Sequence, residues 1–170
     1  MSRRNILQLP CSSDPLHVEG RGLEILNNPW LNKGTSFTLD ERRSLGLSGL
    51  LPPFVADMEE QAQRVLENYC HHVDPLDKYI FLTGLADRNV TLFYRFLMEH
   101  LEETTPIMYT PTVGHACQKF GHIYRKNRGM YIQKRHQGRI ADVLDNWPKD
   151  AVDIIVISDG SRILGLGDLG

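Results

Sequence analysis

Asp57-Met58-Glu59-Glu60-Gln61-Ala62-Gln63-Arg64-Val65-Leu66-Glu67-Asn68-Tyr69 is the stretch that decides the first half of the fold. Asp57 and Glu60 have the spacing of a capping box, in which each side chain satisfies the other's backbone N–H at a helix start. Behind them Met58, Ala62, Val65, Leu66 and Tyr69 fall on one face at helical spacing. An amphipathic helix of this kind needs neighbours to bury its apolar face. The flanking sequence supplies them. Thr38 and Glu41 repeat the capping signal, and Gly46 fits the stop of a short helix. Asp74-Pro75 is an N-cap followed by a first-turn proline, with Leu76, Tyr79, Ile80 and Phe81 behind it. A further helix is expected over 88–103, burying Leu92, Phe93, Phe96, Leu97 and Leu101. Residues 36–104 are therefore expected to form a helical domain. Residues 1–35 show little periodicity and carry Pro10, Pro15, Pro29, Gly20, Gly22 and Gly34, which predicts an extended N-terminal arm.

The character changes at Pro106. Ile107-Met108-Tyr109 is short, apolar and bracketed by Pro106 and Pro111. Thr112 can cap a helix running to about Lys126. Met130-Tyr131-Ile132 predicts a strand, and 139–146 a short helix ending at Asn146-Trp147-Pro148. Val152 to Ile157 is nearly continuous and β-branched, the mark of a strand buried on both faces. Strand, helix, strand in that order predicts the beginning of a parallel sheet. The expected fold class is thus α+β or α/β: a helical bundle, then the start of a parallel-sheet α/β domain over 105–170.

Composition narrows the partners. The chain has 170 residues, 41% hydrophobic and 24% charged, as in ordinary globular proteins. A net charge of -2 gives no reason to expect nucleic acid or an anionic membrane surface. The basic clusters Arg3-Arg4 and Arg125-Lys126 with Arg128 are short enough to be solvated surface. No apolar run approaches the ~20 residues of a membrane helix. Cys11, Cys70 and Cys117 are odd in number and far apart, fitting neither zinc spacing nor a disulfide framework. A reducing, cytoplasmic compartment is the simplest reading. Arg3, Arg4, Ser12 and Ser13 leave a mitochondrial location as the alternative, against which Asp14 and Glu19 argue.

Two residues stand out for chemistry. Tyr109 lies in Tyr109-Thr110-Pro111-Thr112-Val113-Gly114, between an apolar run and a helix start. A phenol keeps its proton at neutral pH and can deliver it as a general acid. The bland alternative is a packed tyrosine whose hydroxyl meets a backbone partner. Arg162 lies in the turn-rich run Asp159-Gly160-Ser161-Arg162, just after the predicted buried strand. Guanidinium grips a carboxylate through two parallel hydrogen bonds, and loops after such strands carry ligands. A surface turn arginine is the competing reading.

Gly165-Leu166-Gly167-Asp168-Leu169-Gly170 matches G-x-G-x-x-G, but the dinucleotide motif must open a helix and be followed by an acidic residue about 20 positions later. A backbone that approaches a ligand or strand closely is the better reading. Asp159 and Asp168 are oxygen donors of the kind Mg²⁺ prefers, yet turn formers are commoner at such positions. His71 and His72 are adjacent and do not share a helical face. His115 and His122 are two turns apart, too far to chelate without another element. No metal site is expected among this chain's own residues.

These strings resemble the malic enzyme family. Tyr109 to Gly114, Leu92-Phe93-Tyr94-Arg95, Asn146-Trp147-Pro148 and Ser158 through Gly170 carry the resemblance. Asn32-Lys33-Gly34-Thr35-Ser36-Phe37-Thr38 and Leu50-Leu51-Pro52-Pro53 extend it to roughly 21–170. The resemblance implies oxidative decarboxylation of malate to pyruvate and CO₂, with NAD or NADP and Mg²⁺ or Mn²⁺. It implies that Tyr109 is the acid that protonates the enol carbon and that Arg162 holds the substrate carboxylate. The family's lysine base, acidic metal ligands and cofactor domain lie downstream of the segment this chain covers. The 170-residue chain alone is therefore expected to show no malate-dependent reduction of NAD or NADP. Some members are activated by fumarate at a dimer interface through two arginines and a glutamate. Arg64 and Arg88 match the arginines, whereas Ala56 stands at the glutamate's place. The helical part is the family's main dimer-forming region, so a homo-oligomer is expected. The rival expectation is a non-catalytic product that acts as a dimerisation or interaction module.

Overall fold

The computed structural model describes residues 6–7, 16–149, 151–162 and 166–167. It divides into two compact units, Met1–Cys117 and Gln118–Gly170. The first unit begins with a short antiparallel pair, β1 (Ile6–Leu7) with β2 (Leu16–His17), in which Ile6 faces His17. Helix α1 (Leu23–Asn27) follows, then a 3₁₀ turn (Gly34–Ser36) and α2 (Leu39–Ser44). Ile25, Phe37, Leu45 and Leu47 form a small core around them. Thr38 caps α2 through the predicted capping box, and Gly46 ends that region with φ +71°.

The main core lies between α3 (Met58–His71), α4 (Pro75–Ala86), α5 (Val90–Glu99) and α6 (Leu101–Met108). Asp57 and Glu60 form their capping box, and Asp74 accepts from the Leu76 N–H ahead of Pro75. The predicted face of α3 is the buried one: Ala62, Val65 and Tyr69 pack with Leu82, Leu85, Leu92, Phe93, Phe96 and Ile107. Tyr69 and Phe96 meet edge to face at 5.4 Å between centroids, a favoured aromatic geometry. Burial pushes the Tyr69 phenol up from its ordinary pKa, with the charges of Glu103 and Cys70 adding to it.

The single helix expected over 88–103 is two helices. His100 ends α5 and begins α6, so Leu101 opens a new helix and is exposed rather than buried. Helix α6 then runs through Pro106 to Met108. Thr104 and Thr105 turn their hydroxyls back onto the carbonyls of His100 and Leu101, and buried Ile107 anchors the turn containing the proline. The helix expected from Thr112 to about Lys126 is likewise divided, into α7 (Thr112–Gln118) and α8 (Phe120–Ile123).

In the second unit α9 (Ile140–Leu144) lies inside the span 139–146 that the sequence marks as helical. No parallel sheet is present among the described residues. Met130 to Ile132 and Val152 to Ile157 have no regular structure, and Ile154 to Ile157 are exposed, Ile157 to 92%. A strand exists only when a neighbour takes its N–H and C=O groups, and among the described residues this segment joins no ladder. The only sheet among the described residues is the two-residue pair β1–β2.

Candidate functional site

Arg64 and Arg88 line one cavity of about 320 Å³ on the helical unit. The capping box at Asp57 sets the start of α3 and thereby the face on which Arg64 stands. Its Nη2 donates to the Thr35 hydroxyl at 3.1 Å. Arg88 occupies the turn between α4 and α5, where its Nη1 donates to the Gly84 carbonyl at 2.8 Å. Burial pulls the Arg88 guanidinium below its ordinary pKa, opposed by the neighbouring Asp87 charge. Guanidinium nonetheless keeps its charge at any working pH.

The rest of the wall is amide and apolar. Asn32 ties the cavity together, donating to the Arg88 carbonyl at 2.9 Å and accepting from the Gly34 N–H at 2.8 Å. Gln61 donates to the Lys33 carbonyl at 3.0 Å and also to the Ser36 hydroxyl, and accepts from the Thr35 N–H at 3.3 Å. Asn89 accepts from the Leu92 N–H and caps α5. Gly34 has φ +58°, and a Cβ there would stand 2.6 Å from Gln61 Oε1, so any other residue would be strained and would push Gln61 aside. Among the described lining residues there are two arginines and no carboxylate. Each guanidinium has five N–H donors and uses one in the bond given above. Such a cavity suits a small anion with two acceptor ends. Ala56 is fully buried, and its N–H donates to the Thr35 carbonyl.

Tyr109 is the C-cap residue of α6. Its N–H donates to the Thr105 carbonyl at 2.8 Å, its own carbonyl accepts from Val113 at 2.9 Å, and its side chain is 66% exposed. The Thr110–Pro111 bond that follows is cis. Arg162 belongs to the second unit and is exposed. The preceding turn is closed by Asp159, whose Oδ1 accepts from the Ser161 N–H at 3.0 Å and its hydroxyl at 2.6 Å. Those bonds hold the Asp159 carboxyl below its ordinary pKa. Asp159 is thus used as a turn former. Most of the Gly165–Gly170 run, with Asp168, lies outside the described residues. So does Cys11, while Cys70 and Cys117 are free and exposed. Among the described residues no three of His, Cys, Asp and Glu are grouped to hold a metal, and no helix is long and apolar enough to cross a membrane.

Sequence reasoning missed Thr35, Gln61 and Arg42. Arg42 is buried and donates to four backbone carbonyls, those of Thr35, Phe37, Pro52 and Phe54. Thr35 and Gln61 meet across 26 residues, which no periodicity signals.

A family model described as malic enzyme, N-terminal domain, matches residues 86–170. The NADP-dependent malic enzyme of Dictyostelium discoideum is 56% identical over 146 residues, 86% of this chain and 27% of that protein. The NAD-dependent malic enzyme of Idiomarina loihiensis is 48% identical over 162 residues, 95% of this chain and 29% of that protein. The mitochondrial NADP-dependent malic enzyme of Homo sapiens is 46% identical over 161 residues, 95% of this chain and 27% of that protein. The chain spans little more than a quarter of the length of these curated relatives.

Proposed function

The chain belongs to the malic enzyme family, and on that premise we propose that it contributes to an active site that converts malate to pyruvate and CO₂. The carrying observation is the identity of about half the positions over nearly the whole chain, to relatives named for both NAD and NADP. NAD or NADP is the proposed hydride acceptor. The family's Mg²⁺ or Mn²⁺ needs several oxygen ligands together, and the described residues hold no cluster of three, so no step is derived through the metal.

In this reading the Tyr109 hydroxyl gives its proton to the enol carbon and Arg162 holds the substrate carboxylate through two parallel bonds. The exposure of Tyr109 suits a group that meets a ligand. Residues 105–170 are assigned to an α/β catalytic domain, after an arm over 1–35 and a helical domain over 36–104. Val152 to Ile157 becomes its sheet strand when further strands pair with it. A cytoplasmic homo-oligomer is the proposed setting. The test is Tyr109→Phe in a full-length protein carrying this chain. Malate binding is expected to persist while pyruvate formation falls about 10²-fold or more. Unchanged turnover would remove Tyr109 from the role.

A second reading rests on the Arg64–Arg88 cavity. Two guanidiniums with unused donors, on a wall whose described lining residues include no carboxylate, favour a small dicarboxylate bound as a regulator. Fumarate is the probe, and loss of its binding in Arg64→Gln is the expected result.

A further inference from the structure

We propose that Thr35 is a positioning residue for Arg64, so that the Gly34–Ser36 turn, and not α3 alone, sets where that guanidinium stands on the cavity wall. The inference rests on the reading of the Arg64–Arg88 cavity as a small-dicarboxylate site. An arginine on a helix surface is long and free to change rotamer, and binding is stronger when such freedom is already lost. Arg64 has one bond that removes it, from Nη2 to the Thr35 hydroxyl at 3.1 Å.

The Thr35 backbone is itself held on both sides. The Thr35 N–H donates to Gln61 Oε1. Its carbonyl accepts from Arg42 Nη2 at 3.1 Å and from the Ala56 N–H at 3.2 Å. Gln61 also ties down Lys33, before the turn, and Ser36, at its end, donating to the Lys33 carbonyl and the Ser36 hydroxyl. Gln61 and Arg42 are both buried. Threonine is β-branched and restricted at χ1, so a fixed backbone leaves the hydroxyl few positions. Gln61 and Arg64 lie three residues apart on α3, and the turn is therefore stitched to the same helix that carries the arginine.

The test is isothermal titration of the 170-residue chain with fumarate, alongside Thr35→Val, Thr35→Ser, Arg64→Gln and Arg88→Gln. Thr35→Val is expected to weaken fumarate binding about tenfold, the effect of losing one hydrogen bond to a charged group. Thr35→Ser is expected to recover binding to within about twofold, because the hydroxyl returns. Far-UV circular dichroism and the thermal midpoint are expected to match wild type in both. Thr35→Ala replaces Thr35→Val if the valine variant fails to fold. Loss of binding in Arg64→Gln with wild-type affinity in Thr35→Val overturns the positioning role and leaves the cavity reading intact. A wild-type chain that binds neither fumarate nor succinate overturns the cavity reading, and this inference with it.

Discussion

Phe96 and Ile155 are both large apolar side chains in strongly apolar stretches, yet Phe96 is 0% exposed and Ile155 77%. The difference lies in how far away the partners are. Helices α3 to α6 form their own hydrogen bonds and find apolar faces within a few tens of residues. The segment from Val152 to Ile157 needs another strand beside it before burial can begin. An apolar run therefore states what a segment must bury against, and the rest of the chain decides whether that partner is at hand.

The comparison can be broken most directly by truncation. Phe96→Ala is expected to cost about 3–5 kcal/mol in urea unfolding, because it opens a cavity in close-packed surroundings. Ile155→Ala is expected to stay within about 0.5 kcal/mol. Equal effects would mean that the second segment is packed after all. Next in size is the cap that starts the packed region. Asp57→Ala is expected to cost about 1 kcal/mol in the same assay, since it leaves the N–H of Glu60 without its acceptor. The smallest expected effect is on pH dependence. Tyr69 has a raised pKa in the folded chain, so its contribution is complete below about pH 10 and is lost as pH rises through the folded value. The wild-type thermal midpoint should fall more steeply above that pH than the midpoint of Tyr69→Phe. Parallel curves would show that the phenol is not protected by the core.

Local chemistry is the legible part of the fold. Thr38, Asp57 and Asp74 cap the helices that their spacing predicts, because a cap depends only on residues within one turn. The buried face of α3 is legible for the same reason. Pro106 misleads, since it reads as a helix boundary, whereas the packing of Ile107 outweighs the lost N–H bond. Leu101 misleads because the break at His100 rotates it out of the apolar stripe. At the cavity, resemblance singles out Arg64 and Arg88, and only the fold puts them on one wall. Gln61 has no signal beyond its place on α3, because its partners lie 25 to 28 residues away. Tyr109 and Arg162 belong to different units and stand as assignments for the kinetic test.

Arg42 has a consequence for how this region can vary. One guanidinium reaches carbonyls from Thr35 to Phe54, so it works as a caliper closed on the loop after α2. An added residue between Ser44 and Pro52 would have to be absorbed as a bulge pointing outward. Gly49, where an added Cβ would meet no atom within 4 Å, marks where such a bulge has room. Length changes elsewhere in that loop would pull a carbonyl off its charge and leave the arginine buried without its full set of acceptors.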